Sequence, residues 1–185
     1  MNMHRTWLLT WTTYGIWLPG DRRGFVSNVA DQQGQGVRHN EPDSRCDKDL
    51  RGLRSFAEQR LVHEPTYLTS EQAEALVEQF RETARHRGWE LLAVAVMRNH
   101  VHIVVRVEGD PEPETLLRDF KSYGSRRLNR RFGNRERWWT QSGSKRKLRD
   151  DAAESYAVQY VQNQEYPLII WVPQEQPANA GRSPS

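Results

Sequence analysis

The fold turns on residues 89–107, Trp89-Glu-Leu-Leu-Ala-Val-Ala-Val-Met97-Arg98-Asn99-His100-Val-His102-Ile-Val-Val-Arg106-Val107. Residues 89–97 are an apolar run without helical period, which predicts a strand buried on both faces. Arg98-Asn99 is a two-residue polar break of the kind that joins hairpin strands. Residues 100–107 then read as the returning strand. On it His100 and His102 lie two apart and share a face, while Val101, Ile103, Val105 and Val107 take the other.

Upstream, Thr69 and Gln72 form a capping box. The stripe Ala73, Leu76, Val77, Phe80 and Ala84 follows, and Gly88 ends the helix. Residues 6–14, rich in β-branched and aromatic side chains, predict a first strand. Residues 15–65 are punctuated by Gly, Asp and Pro and read as a long irregular insertion, with a short helix near 49–61. Gly34-Gln35-Gly36 follows no predicted strand and is no dinucleotide loop.

Downstream, a second long helix is predicted over 113–131, with Leu116, Leu117, Phe120, Gly124 and Leu128 along one stripe. Gly124 in that stripe implies a close approach to the sheet or a bend. A basic, Trp-rich connection spans 133–149. A third helix covers 151–162, and a short strand 167–172. The order predicts an α+β, ferredoxin-like sandwich, an antiparallel sheet with helices on one face and a long irregular insertion after the first strand. One domain over 1–176 and a disordered tail over 177–185 complete the reading.

The net charge of +3 conceals an asymmetry. Residues 116–149 carry twelve Lys or Arg and two acids, Asp119 and Glu136, a local balance of +10 against −7 elsewhere. Such a block is the footprint of a polyanion, and the aromatics among it suit unpaired bases. Arg126, Arg127, Arg130, Lys121, Trp138, Trp139, Lys145, Arg146 and Lys147 are the candidate nucleic-acid contacts. A single cysteine, Cys46, excludes internal disulfides and thiolate zinc clusters. No apolar run approaches a membrane span and no secretory leader is evident, so a soluble cytoplasmic protein is expected.

Two same-face histidines on a strand form half a site for a divalent metal, the competing reading being two solvent-facing histidines. Tyr123, about 60° from Phe120 on the helical wheel, is expected to point at the sheet beside them, as a nucleophile toward a phosphodiester. Tyr156 and Tyr160 are expected to pack in the core, with a nucleophile's role as the lesser alternative.

Residues 97–105, followed by Phe120-Lys121-Ser122-Tyr123, resemble the HUH single-strand tyrosine transposases, most of all the REP-associated branch. The likeness extends to Trp11-Thr12-Thr13-Tyr14-Gly15, Tyr160-Val161 and Tyr166-Pro167-Leu168. It implies that His100 and His102 bind Mg2+ or Mn2+ and that Tyr123 attacks single-stranded DNA beside a hairpin. The expected products are a 5′-phosphotyrosine and a free 3′-OH, in a monomer or a homodimer. Relatives often carry Gln or Asn four residues after the tyrosine as a third ligand. Here that position is Arg127, which cannot coordinate a cation. Asp119, Asn129 or water must then complete the shell, and Arg127 is expected to bind a phosphate. The alternatives are a catalytically weak or silent DNA-hairpin-binding regulatory module and a relaxase or replication-initiator-like nickase.

Overall fold

The computed structural model describes residues 4–16, 18, 28–30, 36–38 and 51–174. Cys46 and the expected tail over 177–185 lie outside them. The hairpin read from 89–107 is present as β4 (Glu90–Val96) and β5 (His100–Glu108), closed by Met97 N–H donating to the His100 carbonyl at 2.8 Å. β1 (His4–Thr12) pairs antiparallel with β5, so that Thr10 stands opposite His102 and Thr12 opposite His100.

The insertion contributes a two-stranded ribbon, β2 (Asn28–Ala30) with β3 (Gly36–Arg38), and the helix α1 (Arg51–Gln59). α2 (Ser70–Arg87) begins at the predicted capping box, in which the Thr69 side chain accepts from Gln72 N–H while the Gln72 side chain accepts from Thr69 N–H. It ends at Gly88 in the left-handed conformation, as its φ of 69° requires. α3 (Pro113–Phe132) follows β5.

The basic connection is not a loop throughout. Ser144–Leu148 forms β6, an edge strand antiparallel to β1. Its Ser-Lys-Arg-Lys-Leu sequence has little strand propensity, and the β1 edge supplies the pairing. The three consecutive cations also block further edge-to-edge association. α4 (Asp151–Gln162) and β7 (Ile169–Trp171) close the chain. The five-stranded sheet runs β6-β1-β5-β4-β7. Its first four strands carry the order 4-1-3-2 of a ferredoxin-like unit, and β7 extends it beside β4.

The helices divide between the two faces. Trp7, Leu9 and Trp11 of β1, Val94 and Val96 of β4, and Val101, Ile103, Val105 and Val107 of β5 meet α2 and α3 in the principal core. Phe80 and Phe120 are fully buried there, each stabilising the fold by roughly 2–3 kcal/mol. Gly124 does mark a close approach, but to α2: a Cβ there would stand 3.1 Å from Leu76 and 3.2 Å from Phe80. Helices were expected on one face, and α2 and α3 conform. α4 lies on the other face, its Ala157 and Val161 packing with Ala93, Ala95 and Val104. Both assignments follow from the pleat, which gives each strand two independent faces.

Candidate active site

His100 and His102 project from β5 on the α4 side. His102 is 4% exposed, and its Nδ1 meets the Thr10 hydroxyl at 2.8 Å. Nδ1–H can donate to that hydroxyl, which leaves the Nε2 lone pair toward the pocket. Nε2 is itself buried and makes no hydrogen bond. His100 Nδ1 lies 2.6 Å from Asn99 Oδ1, an oxygen that only accepts, so Nδ1 carries the proton and Nε2 is the basic nitrogen. The two rings stand edge to face, 4.8 Å apart. Burial, then the neighbouring His100, push the His102 pKa down to about 4, and an interaction with the Gln164 side chain opposes them only in part. The ring is neutral at pH 7, the form that binds a metal.

The histidines open into a pocket of about 810 Å³ that also takes in Thr10, Arg146, Tyr156 and Tyr160. The Tyr160 ring lies 5.4 Å from the His102 ring, at an interplanar angle of 80°. Tyr156 and Tyr160 are 66% and 43% exposed, so neither packs in the core as the sequence suggested. They line the pocket one helical turn apart. Gln164, four residues beyond Tyr160, donates its Nε2 to the Tyr160 carbonyl at 2.9 Å, which leaves its Oε1 as the atom that can act on other groups.

Tyr123 is elsewhere. α3 packs its stripe on the Val101–Val107 side of the sheet, so Tyr123 and the histidines stand on opposite faces. Its ring lies under the Arg126 guanidinium instead, at 5.2 Å. The wheel places it correctly at the border of the buried stripe, but does not say which face of the sheet that stripe covers. Arg127, expected to bind a phosphate, is engaged within the protein and stands apart from the histidine pocket. Its Nε donates to Gln79 Oε1 at 3.0 Å and its Nη2 lies 2.6 Å from Glu82, tying α3 to α2. Neither expected third ligand reaches the site. Asp119 is buried against Arg87 at 2.8 Å. Asn129 Oδ1 accepts from Arg135 N–H and Trp138 Nε1.

The other basic candidates are dispersed. Lys121 donates to the carbonyls of Thr140, Gln141 and Ser142 and so pins that loop, its pKa pushed down to about 8 by burial first and Lys145 second. Trp138 is buried, and Trp139 is half-buried, donating to the Lys121 carbonyl with its edge on Trp11. Lys145 pairs with Glu114 and Lys147 with Asp110. Arg126 and Arg130 are exposed on α3, away from the histidines. Arg146 alone of the candidates enters the pocket, because β6 alternation turns Ser144, Arg146 and Leu148 toward α4. The signal that would have singled out Tyr160 is Gln164 four residues on, an oxygen donor at the interval where Tyr123 has Arg127.

An antiparallel sheet thus presents a histidine pair to a tyrosine-bearing helix. The family model described as IS200-like transposase matches residues 62–164. The chain belongs to that family, and its general function is that of a transposase. Among solved structures, one described as a REP-associated tyrosine transposase bound to a REP hairpin is 14% identical, with 100% of this chain and 96% of that chain covered at a TM-score of 0.49. A candidate transposase from Deinococcus radiodurans R1 is 16% identical over 90% of this chain and 95% of that one, at a TM-score of 0.44. No curated protein matches the sequence. Among the described residues, no helix is long and apolar enough to cross a membrane.

Proposed function

We propose that the protein cleaves and rejoins single-stranded DNA beside hairpins through a 5′-phosphotyrosine, with Tyr160 as nucleophile and residues 1–176 as one catalytic domain. The 5.4 Å approach of Tyr160 to His102 within one pocket carries this reading. The Tyr160 oxygen attacks phosphorus and loses its proton to solvent. The bond from phosphorus to the 3′ oxygen breaks, and that oxygen leaves as a 3′-OH after taking up a proton. One phosphoester replaces another, so a 3′-OH can later reverse the step without a nucleotide cofactor.

The donor set fits a divalent ion. His102 Nε2 is a buried nitrogen without a partner, His100 stands beside it, and Gln164 acts on the same ring. His100, His102 and Gln164 would hold Mg2+ or Mn2+, which would polarise a phosphate oxygen and stabilise charge developing on phosphorus. A silent hairpin-binding module would follow if the residue four positions after the nucleophile could not hold a cation, as Arg127 after Tyr123 cannot. With Tyr160 as nucleophile that position is Gln164, an oxygen donor. Tyr156 offers a flat ring in the pocket on which a base can stack, and Arg146 lines the same pocket as a cation for a phosphate.

The test is a denaturing gel with labelled hairpin oligonucleotides from the flanks of the protein's own coding region, with Mn2+ or EDTA. A metal-dependent covalent adduct is expected for wild type and for Tyr123→Phe, and none for Tyr160→Phe or His102→Ala. An adduct that survives Tyr160→Phe and vanishes in Tyr123→Phe overturns the assignment.

A further inference from the structure

The polar face of β5 carries a third functional group beyond the histidines. Arg106 donates from Nη2 to Glu154 Oε1 at 2.5 Å, from Nε to Glu154 Oε2 at 3.3 Å, and from Nη1 to Glu90 Oε2 at 2.6 Å. The Thr6 hydroxyl donates to the same Glu154 Oε2 at 2.7 Å. Glu154 lies in the first turn of α4, six residues before Tyr160. One strand therefore meets the tyrosine helix at two points, Arg106 under Glu154 and His102 under Tyr160.

The apolar hold on α4 comes from short side chains, Ala153, Ala157, Val158 and Val161, packed on the sheet. Ala157 and Val161 are its buried side chains, and contacts of that kind have no preferred direction along a strand. A two-point guanidinium–carboxylate contact does fix direction. Both groups are half-buried, so solvent screens the attraction only in part and the two-point geometry is what carries the directionality. Burial works against the Glu154 charge, yet the Arg106 and Thr6 bonds hold its carboxyl below the usual carboxylate range.

We infer that Arg106 and Glu154 are positioning residues for strand cleavage: they set the register of α4 on β5 and thereby bring Tyr160 to the histidine pair. This rests on the reading of Tyr160 as nucleophile. The anchor removes slippage and rotation of the helix, freedoms that would otherwise take the tyrosine oxygen away from the scissile phosphate.

The experiment uses the full chain with Arg106→Met, Glu154→Gln and Arg106→Lys. Hydrogen exchange is followed over 152–162, and single-turnover adduct formation and Kd are measured on the hairpin oligonucleotides above. Arg106→Met and Glu154→Gln are expected to speed exchange in α4 about 10-fold or more while α2, β4 and β5 keep wild-type protection. Adduct formation should slow at least 10-fold with Kd unchanged, and Arg106→Lys should restore part of the rate. Wild-type exchange in α4, a general rise across the sheet, or a normal adduct rate despite a loosened α4 each overturns the inference. If wild type forms no adduct, the cleavage reading fails on that observation, and the inference of positioning for cleavage falls with it. The exchange pattern still reports separately whether Arg106 and Glu154 fasten α4.

Discussion

Thr10 and His102 stand opposite one another in the β1–β5 ladder, and the threonine hydroxyl meets the imidazole Nδ1 at 2.8 Å. The contact orients the ring and turns Nε2 to the pocket. Outer-shell partners of ligating histidines typically contribute 10–100-fold in metal affinity. Thr10→Val should therefore weaken Mn2+ binding by about that factor, read by calorimetry on the DNA-free protein. Unchanged affinity would remove Thr10 from the site.

The depressed pKa of His102 makes a statement about stability. Its folded value of about 4 lies below the ordinary 6.5. Between those values the unfolded chain binds a proton that the folded chain does not. The stabilisation is therefore complete above pH 6.5 and is lost as pH falls toward 4, by about 3 kcal/mol for the metal-free protein. Urea unfolding at a series of pH values should show that slope, and His102→Gln should flatten it. An equal slope in both proteins would locate the titration elsewhere.

Arg127 and Arg146 should separate cleanly. Arg127 is occupied by Gln79 and Glu82 on the far side of the sheet, so Arg127→Ala should cost about 1 kcal/mol of stability and leave adduct formation unchanged. Arg146→Ala should leave stability within about 0.5 kcal/mol. It should weaken hairpin binding and lower the salt dependence of Kd by roughly one ion. The reverse pattern, from filter binding in a salt series, would return the phosphate contact to α3.

Gly143 lies flat against β1. A Cβ there would stand 2.8 Å from the Thr10 carbonyl oxygen and 3.0 Å from both Leu117 and Trp11. Backbone must move to admit it, so Gly143→Ala should destabilise by roughly 1–3 kcal/mol. Because Ser144 and Arg146 follow directly, hairpin binding should weaken as well. A neutral substitution by thermal unfolding would show that the segment adapts.

What the sequence made legible was local. The Thr69–Gln72 capping box, the bounds of α4 and the two faces of β5 each depend on residues a few positions apart, and each stands where the spacing put it. What it concealed was non-local. The stripe on α3 shows which side is buried, but the chain's path over the sheet decides what it is buried against, and this carried Tyr123 away from the histidines. β6 lacks an apolar alternation and exists because β1 has an open edge. Tyr156 and Tyr160 have the spacing of a core stripe, and only the short side chains between and beyond them, Ala157 and Val161, show that the buried side lies slightly round the helix.

Ala93 and Ala95 of β4 lie under α4, and Ala95 is the register partner of His102. Two methyl groups thus act as the spacer between the tyrosine helix and the sheet. The reach from Tyr160 to the histidines is a thickness, and these alanines, with Val104 beside them, form part of the layer that sets it. Valine at position 95 would act as a shim, lifting the helix from β4 while touching neither histidine nor tyrosine. The geometry of the tyrosine–histidine pair is thus open to tuning from a strand that contributes no chemistry of its own.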